Sequence, residues 1–163
     1  MMDSDTFLVS VVLWMIVIQI SVFLHELGHC LPVLAFTKQN VSIVLGHGKM
    51  NATFRIRRLH VHFKGFAPWI GLMNVEKGVT LTKTLSLLLS LGGPLVSLIT
   101  GTSAFIFRSY MDIGLLYSVL SIATLYNWYM FLATAVPIVY PKWWIGYGGI
   151  PSDGYRILRL ITK

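Results

Sequence analysis

Phe7 to Leu24 is an 18-residue run, FLVSVVLWMIVIQISVFL, without a charged side chain, and it leads directly into His25-Glu26-Leu27-Gly28-His29. A stretch this long and apolar crosses the hydrocarbon of a bilayer as a helix. Such a helix must satisfy its backbone internally, so the rest of the chain has to be arranged around it. Its flanks are read as those of a retained helix: Asp3 and Asp5 precede it where a cleaved leader carries basic residues, and HELGH follows where a leader carries small ones. The expectation is a first span over about residues 7–29 that ends in a cluster of ionisable groups.

Two further stretches exceed spanning length, residues 85–107 and about 113–139, and neither contains an acid or a base. Gly92-Gly93-Pro94 inside the second predicts a kink or a close helix contact within an unbroken span. Composition agrees: mean hydropathy is +0.72, with 55% hydrophobic and 12% charged residues, which excludes a disordered chain and an ordinary soluble one. The fold class expected is therefore an α-helical integral membrane protein, one domain over residues 1–163, with three transmembrane helices.

The net charge of +7 would suggest nucleic acid in a soluble domain. Its distribution argues otherwise. Lys38, Lys49, Arg55, Arg57, Arg58, Lys64, Lys77 and Lys83 lie between the first two spans; Lys142, Arg156, Arg159 and Lys163 follow the third; only Arg108 lies between spans two and three. Twelve of thirteen basic residues thus share one side. The positive-inside rule then predicts the N-terminus outside and the C-terminus in the cytoplasm, with no nucleic-acid partner. Arg55-Ile56-Arg57-Arg58 reads as a topology determinant against anionic lipid.

The inner loop, residues 37–84, carries β-branched and aromatic runs at Val41 to Leu45, Thr53 to Ile56 and Leu59 to Phe66, punctuated by Gly46, Gly48, Asn51 and Gly65. These predict short strands or hairpins at the cytoplasmic membrane interface. Gly46 and Gly48 would let a partner backbone approach closely, the requirement for adding a substrate strand to a sheet edge; an ordinary hairpin turn explains them equally well. His47, His60 and His62 have no carboxylate or cysteine close by in sequence and read as interfacial histidines. Cys30, the single cysteine, excludes an internal disulfide and a cysteine-based zinc cluster, and it reads as packing.

On a helix, residues four apart share a face, so His25 and His29 can hold one metal ion while Glu26 addresses its water. Two neutral imidazoles and a carboxylate suit Zn²⁺ and leave a fourth position open for a water of pKa near ~7. Glu26 is the expected general base, passing the proton on to a leaving amine. Three ionisable groups at the end of a transmembrane helix are costly unless something pairs them, and a metal does so. For the third ligand, the predicted topology places Asp3, Asp5 and Asp112 across the bilayer, leaving Glu76 and Asp153. Glu76 sits in a solvated-looking turn, NVEKG. Asp153 follows the third span in Pro151-Ser152-Asp153-Gly154-Tyr155, where a glycine permits a turn that aims the carboxylate back, and it is the favoured ligand.

With HELGH at 25–29, Gly92-Gly93-Pro94 in the second span and Asp153-Gly154 after the third, the chain resembles the site-2 protease family of intramembrane zinc metalloproteases. The resemblance covers nearly the whole chain, as a minimal three-helix core. It implies an endopeptidase holding one Zn²⁺ through His25, His29 and Asp153, with Glu26 catalytic and a transmembrane or membrane-associated substrate near Gly93 and Asn127. The chain departs from the family at the distal motif: Thr134 stands where an asparagine precedes the proline, Pro137 is separated from Asp153 by an insertion containing YPKWWIGYGG, and Asn127 lies further back in the span. Tyr140, Trp143, Trp144 and Tyr147 in that insertion read as an interfacial belt or as a lid over the site. The alternatives are a membrane protease using Glu76 as third ligand and a non-catalytic zinc-stabilised scaffold. A minimal core leaves room for a regulatory membrane partner.

Overall fold

The computed structural model describes residues 4–76 and 80–162. Asp3, Lys77, Lys163 and the side chain of Asp5, which entered the sequence argument, lie outside the described residues. The elements in chain order are α1 (Ser4–Phe36), β1 (Val41–Leu45), β2 (Ala52–Ile56), β3 (Leu59–Phe63), β4 (Gly71–Val75), α2 (Lys83–Arg108), α3 (Leu115–Ala135) and α4 (Asp153–Ile161). Among the described residues, α1, α2 and α3 are the helices long and apolar enough to cross a membrane.

Helix α2 has the pattern expected where lipid is the solvent. Its buried positions are mostly small, Ser90, Gly93, Pro94, Ser97, Gly101 and Ala104, whereas Leu95, Ile99, Phe105 and Ile106 are exposed. Outside water, helices associate through close backbone packing, which small residues allow, and large apolar side chains can face outward without cost. The tightest crossing joins α1 to α2 at Gly28 and Gly92: a Cβ on Gly28 would lie 2.4 Å from the Gly92 carbonyl oxygen, and one on Gly92 only 2.1 Å from that of Gly28. Pro32 continues this arrangement. It has no N–H to give the carbonyl four residues back, so the Gly28 oxygen is left to face Gly92. Helix α1 nevertheless runs through Pro32, past the expected end near residue 29, as far as Phe36.

Between α1 and α2 lies a four-stranded sheet in the order β2-β3-β1-β4. Strands β2 and β3 form an antiparallel hairpin turning at Arg57, which has φ 53°, and Arg58; β1 pairs parallel with β3 and antiparallel with β4. Arg58 does not simply face lipid, because its guanidinium donates to the Leu34 and Thr37 carbonyls and so caps α1. The alternating side chains Val41, Ile43 and Leu45 are buried with Val22, Cys30 and Val33 of α1 in the main core. Strand β4 was not anticipated, because Leu72 and Met73 break the β-branched pattern that marks the other strands. Glu76 stands exposed just after it and accepts a hydrogen bond from Asn40 Nδ2.

The third span is shorter than expected, ending at Ala135 rather than near 139. The cause is Pro137, which pushes Val136 out of the helical region to φ −66°, ψ 128°. The chain then loops through residues 137–151 and re-enters a helix, α4, that the sequence did not predict. Ser152 makes this junction: its hydroxyl donates to the Val136 carbonyl and accepts from the N–H of Ile138 and of Tyr155, the last as the α4 N-cap.

Candidate metal centre

His25, Glu26 and His29 are all buried on α1, and Asp153, the first residue of α4, is buried against them. The His25 and His29 Nε2 atoms lie 3.2 Å apart, and Asp153 Oδ2 is 3.6 Å from the first and 3.4 Å from the second. The three donors form a nearly equilateral triangle whose equidistant point is about 2.0 Å from each atom. Metal–donor bonds of ~2.0–2.2 Å to imidazole and carboxylate therefore fit without moving a side chain. Among the described residues this group could hold a metal ion.

Each imidazole is oriented by its other nitrogen, and both partners come from α2. His29 Nδ1 lies 2.7 Å from the Leu89 carbonyl, and His25 Nδ1 lies 2.8 Å from Ser97 Oγ. A carbonyl only accepts, so the His29 Nδ1 proton goes to Leu89 and Nε2 is the nitrogen that faces the triangle, free to ligate a metal once it gives up its own proton. Leu89, Gly93 and Ser97 stand four residues apart on one face of α2. The middle position has to be glycine: a Cβ there would meet His29 Nε2 at 2.3 Å and His25 Nε2 at 2.8 Å. Sequence reasoning missed Leu89 and Ser97. The repeat of small residues along α2 was the available signal, since it marks the face that meets α1.

Asp153 is held by the fold of the C-terminal segment. Burial alone would raise its carboxyl pKa, but hydrogen bonding to His25 and His29 and their charge outweigh that, holding it well below the usual carboxylate range. Its place at the start of α4 also favours the anion. Gly154 contributes in a different way from the turn expected of it. It is helical, and a Cβ would lie 1.9 Å from the Ala135 carbonyl oxygen, so the missing side chain is what seats α4 on the end of α3. Glu76 is not brought to the histidines.

Glu26 points from α1 toward β4, where a Cβ on Gly71 would meet its Cγ at 2.8 Å and its Oε1 at 3.2 Å. Met73, two residues on, lines the same cavity as Glu26. The register explains why. Gly46 N–H donates to Ile70 O and Glu76 N–H to Asn40 O, so in this antiparallel pair residues 70, 72, 74 and 76 turn their backbone groups toward β1. Those of Gly71, Met73 and Val75 point to the free edge of the sheet, beside Glu26.

A cavity of about 270 Å³ joins the histidines, Glu26 and Asp153 to this edge. The insertion residues Tyr140, Trp144 and Tyr147 line its far side. Burial, and secondarily the Glu26 charge, raise the Tyr147 phenol, which stays protonated. Of the other sites read from sequence, Gly93 faces the imidazoles, whereas Gly46 and Gly48 do not line the cavity and pack on the backbone of Lys64 and Gly65. Asn127 is likewise outside the lining; its Nδ2 donates to Ser21 Oγ and the Ala123 carbonyl, tying α3 to α1. His62 pairs with Thr53, and His47 is exposed.

Comparison with known proteins returns no family model, no curated protein and no solved structure that matches the chain.

Proposed function

We propose that this chain is a membrane zinc endopeptidase of the site-2 protease kind, hydrolysing a peptide bond in or near a substrate's transmembrane segment on the cytoplasmic side. The observation that carries the reading is a buried metal-sized triangle of His25, His29 and Asp153 with a second buried carboxylate, Glu26, beside it. A purely structural metal site has no use for that extra carboxylate. Two imidazoles and one carboxylate suit zinc, which when bound supplies Lewis acidity and a water acidic enough to attack near neutral pH. Glu26 takes up the proton at its carboxylate and delivers it to the leaving nitrogen, while Leu89 and Ser97 keep the imidazoles turned toward the site.

A transmembrane helix hides its peptide bonds in its own hydrogen bonds, so the substrate must be held extended. The free edge of β4 is suited to this, because Gly71 and Met73 turn their backbone groups away from β1, beside Glu26. With twelve of thirteen basic residues on the β-sheet and C-terminal side, that face is assigned to the cytoplasm.

The decisive experiment compares the membrane peptidome of cells carrying the native chain with that of cells carrying Glu26→Gln. Products should vanish while the purified variant still holds one zinc per chain. Identical peptidomes would overturn the peptidase and favour a zinc-stabilised scaffold. Zinc content after Asp153→Ala and Glu76→Ala separates the two candidate third ligands, with loss expected only for Asp153.

A further inference from the structure

Gly71 opens the free edge of β4, and one side chain from the C-terminal insertion already occupies it. The Gly71 N–H donates to the Tyr147 hydroxyl oxygen at 2.9 Å, and that hydroxyl lies 3.1 Å from both the Gly71 and Trp69 carbonyl oxygens, donating to one of them. A single phenol thus meets the donor and faces the acceptor that an antiparallel strand would engage when pairing with Gly71. Met73, the next outward-facing residue, lines the same cavity as Glu26.

We propose that Tyr147 is a placeholder for substrate backbone: it latches the 140–149 loop over the site, and an extended peptide must replace it on the β4 edge to bind. The proposal rests on the reading of that edge as the place where the substrate lies, and it concerns binding rather than hydrolysis.

Three features support the exchange. Gly71 is buried, so swinging the phenol away with nothing in its place would strand two polar backbone groups, whereas a peptide strand re-satisfies both. The latch therefore opens to extended backbone and stays shut to apolar molecules that lack amides. Tyr147 is flanked by Gly146 at φ 88° and, two residues on, Gly149 at φ 80°, left-handed conformations around which the loop turns. The loop base is closed by the Val139–Pro151 bridge, with Tyr140 N–H donating to Ile150 O, Gly149 N–H to Tyr140 O and Ile150 N–H to Tyr147 O, so the Tyr147 phenol can swing out about its own side-chain bonds without unseating Asp153. At the tip, Trp143 is 80% and Ile145 70% exposed, and neither holds the loop down.

The test uses the full-length Glu26→Gln chain, zinc-loaded in detergent micelles, and a fluorescent blocked hexapeptide of alternating valine and threonine as the probe. Saturating peptide should raise hydroxyl-radical oxidation of Tyr147 several-fold, read by mass spectrometry, and slow amide exchange at Gly71. Tyr147→Phe, which keeps the ring and removes the hydroxyl, should tighten peptide binding about 5- to 10-fold. Tyr147 remaining protected at saturation would overturn the latch, as would unchanged or weaker binding by Tyr147→Phe, or no peptide binding at all. The footprint on a chain with Tyr147 intact stands whether or not the variant folds. Peptide-driven exposure of Tyr147 together with no zinc-dependent cleavage by the native chain, Glu26 intact, would retain the latch and overturn the peptidase.

Discussion

A methyl group on Gly93 would stand 2.3 Å from His29 Nε2, so Gly93→Ala should force the imidazoles out of the triangle. The expected result is loss of stoichiometric metal by elemental analysis, with the helices still formed by circular dichroism. Ser97→Ala is milder. It removes only the group that orients His25, and a supporting partner of this kind is worth roughly 10- to 100-fold in metal affinity, measurable by chelator competition. A pH effect belongs to this scale too. Burial, and after it the Asp153 charge, push the Tyr140 phenol up to about 12. Between pH ~10, where the unfolded chain's phenol ionises, and about 12, the folded chain binds more protons than the unfolded one. Stability should therefore fall as pH rises through this window and be unaffected by the group below it, as checked by denaturant midpoints in micelles.

Helix α1 is placed against α2 by the Gly28–Gly92 contact, and α4 against α3 by Gly154 on Ala135. The first contact carries the histidines and the second carries Asp153, so the metal triangle is assembled by two glycine-mediated crossings. Gly154→Ala keeps every donor, yet a Cβ 1.9 Å from a backbone oxygen has to displace α4. Zinc affinity should drop at least tenfold with Asp153 intact, and overpacking should cost ~1–3 kcal/mol of stability in thermal unfolding. Much of this was legible beforehand at element level: three long apolar helices, strand-like runs at 41–45, 53–56 and 59–66, and a kink or close contact at Gly92-Gly93-Pro94. Strand β4 and helix α4 were not. The first is short and lacks β-branching except at Val75, and the second is a nine-residue segment that forms because Ser152 caps it and α3 receives it.

For the whole molecule, the metal should act as a fold-stabilising ligand because its donors come from α1 and α4, which are far apart in the chain. At free zinc 100-fold above its dissociation constant the gain is about 2.7 kcal/mol. Chelation should lower the unfolding temperature of the native chain and leave Asp153→Ala unmoved. Sidedness can be checked independently. Single cysteines placed at Lys49 and Lys142, in a Cys30→Ser background, should be blocked only after the membrane is permeabilised from outside, whereas one at Asp112 should react in intact cells.

The sequence by itself determined the three apolar helices and the His25–Glu26–His29 face, because both follow from local periodicity: an uncharged run needs no partner to prefer lipid, and residues four apart always share a helix side. The basic residues also made their unequal distribution countable without a structure. That sidedness and the local context favoured Asp153 over the other acids, but only the tertiary structure brought it to the imidazoles, set Leu89, Gly93 and Ser97 behind them, and laid the β4 edge and Tyr147 beside Glu26. Those are contacts across 45 or more residues of chain, as from Glu26 to Gly71, from His29 to Leu89 and from Gly71 to Tyr147. They depend on where glycines let backbones meet, and no local pattern in the chain encodes which backbone will be there to meet.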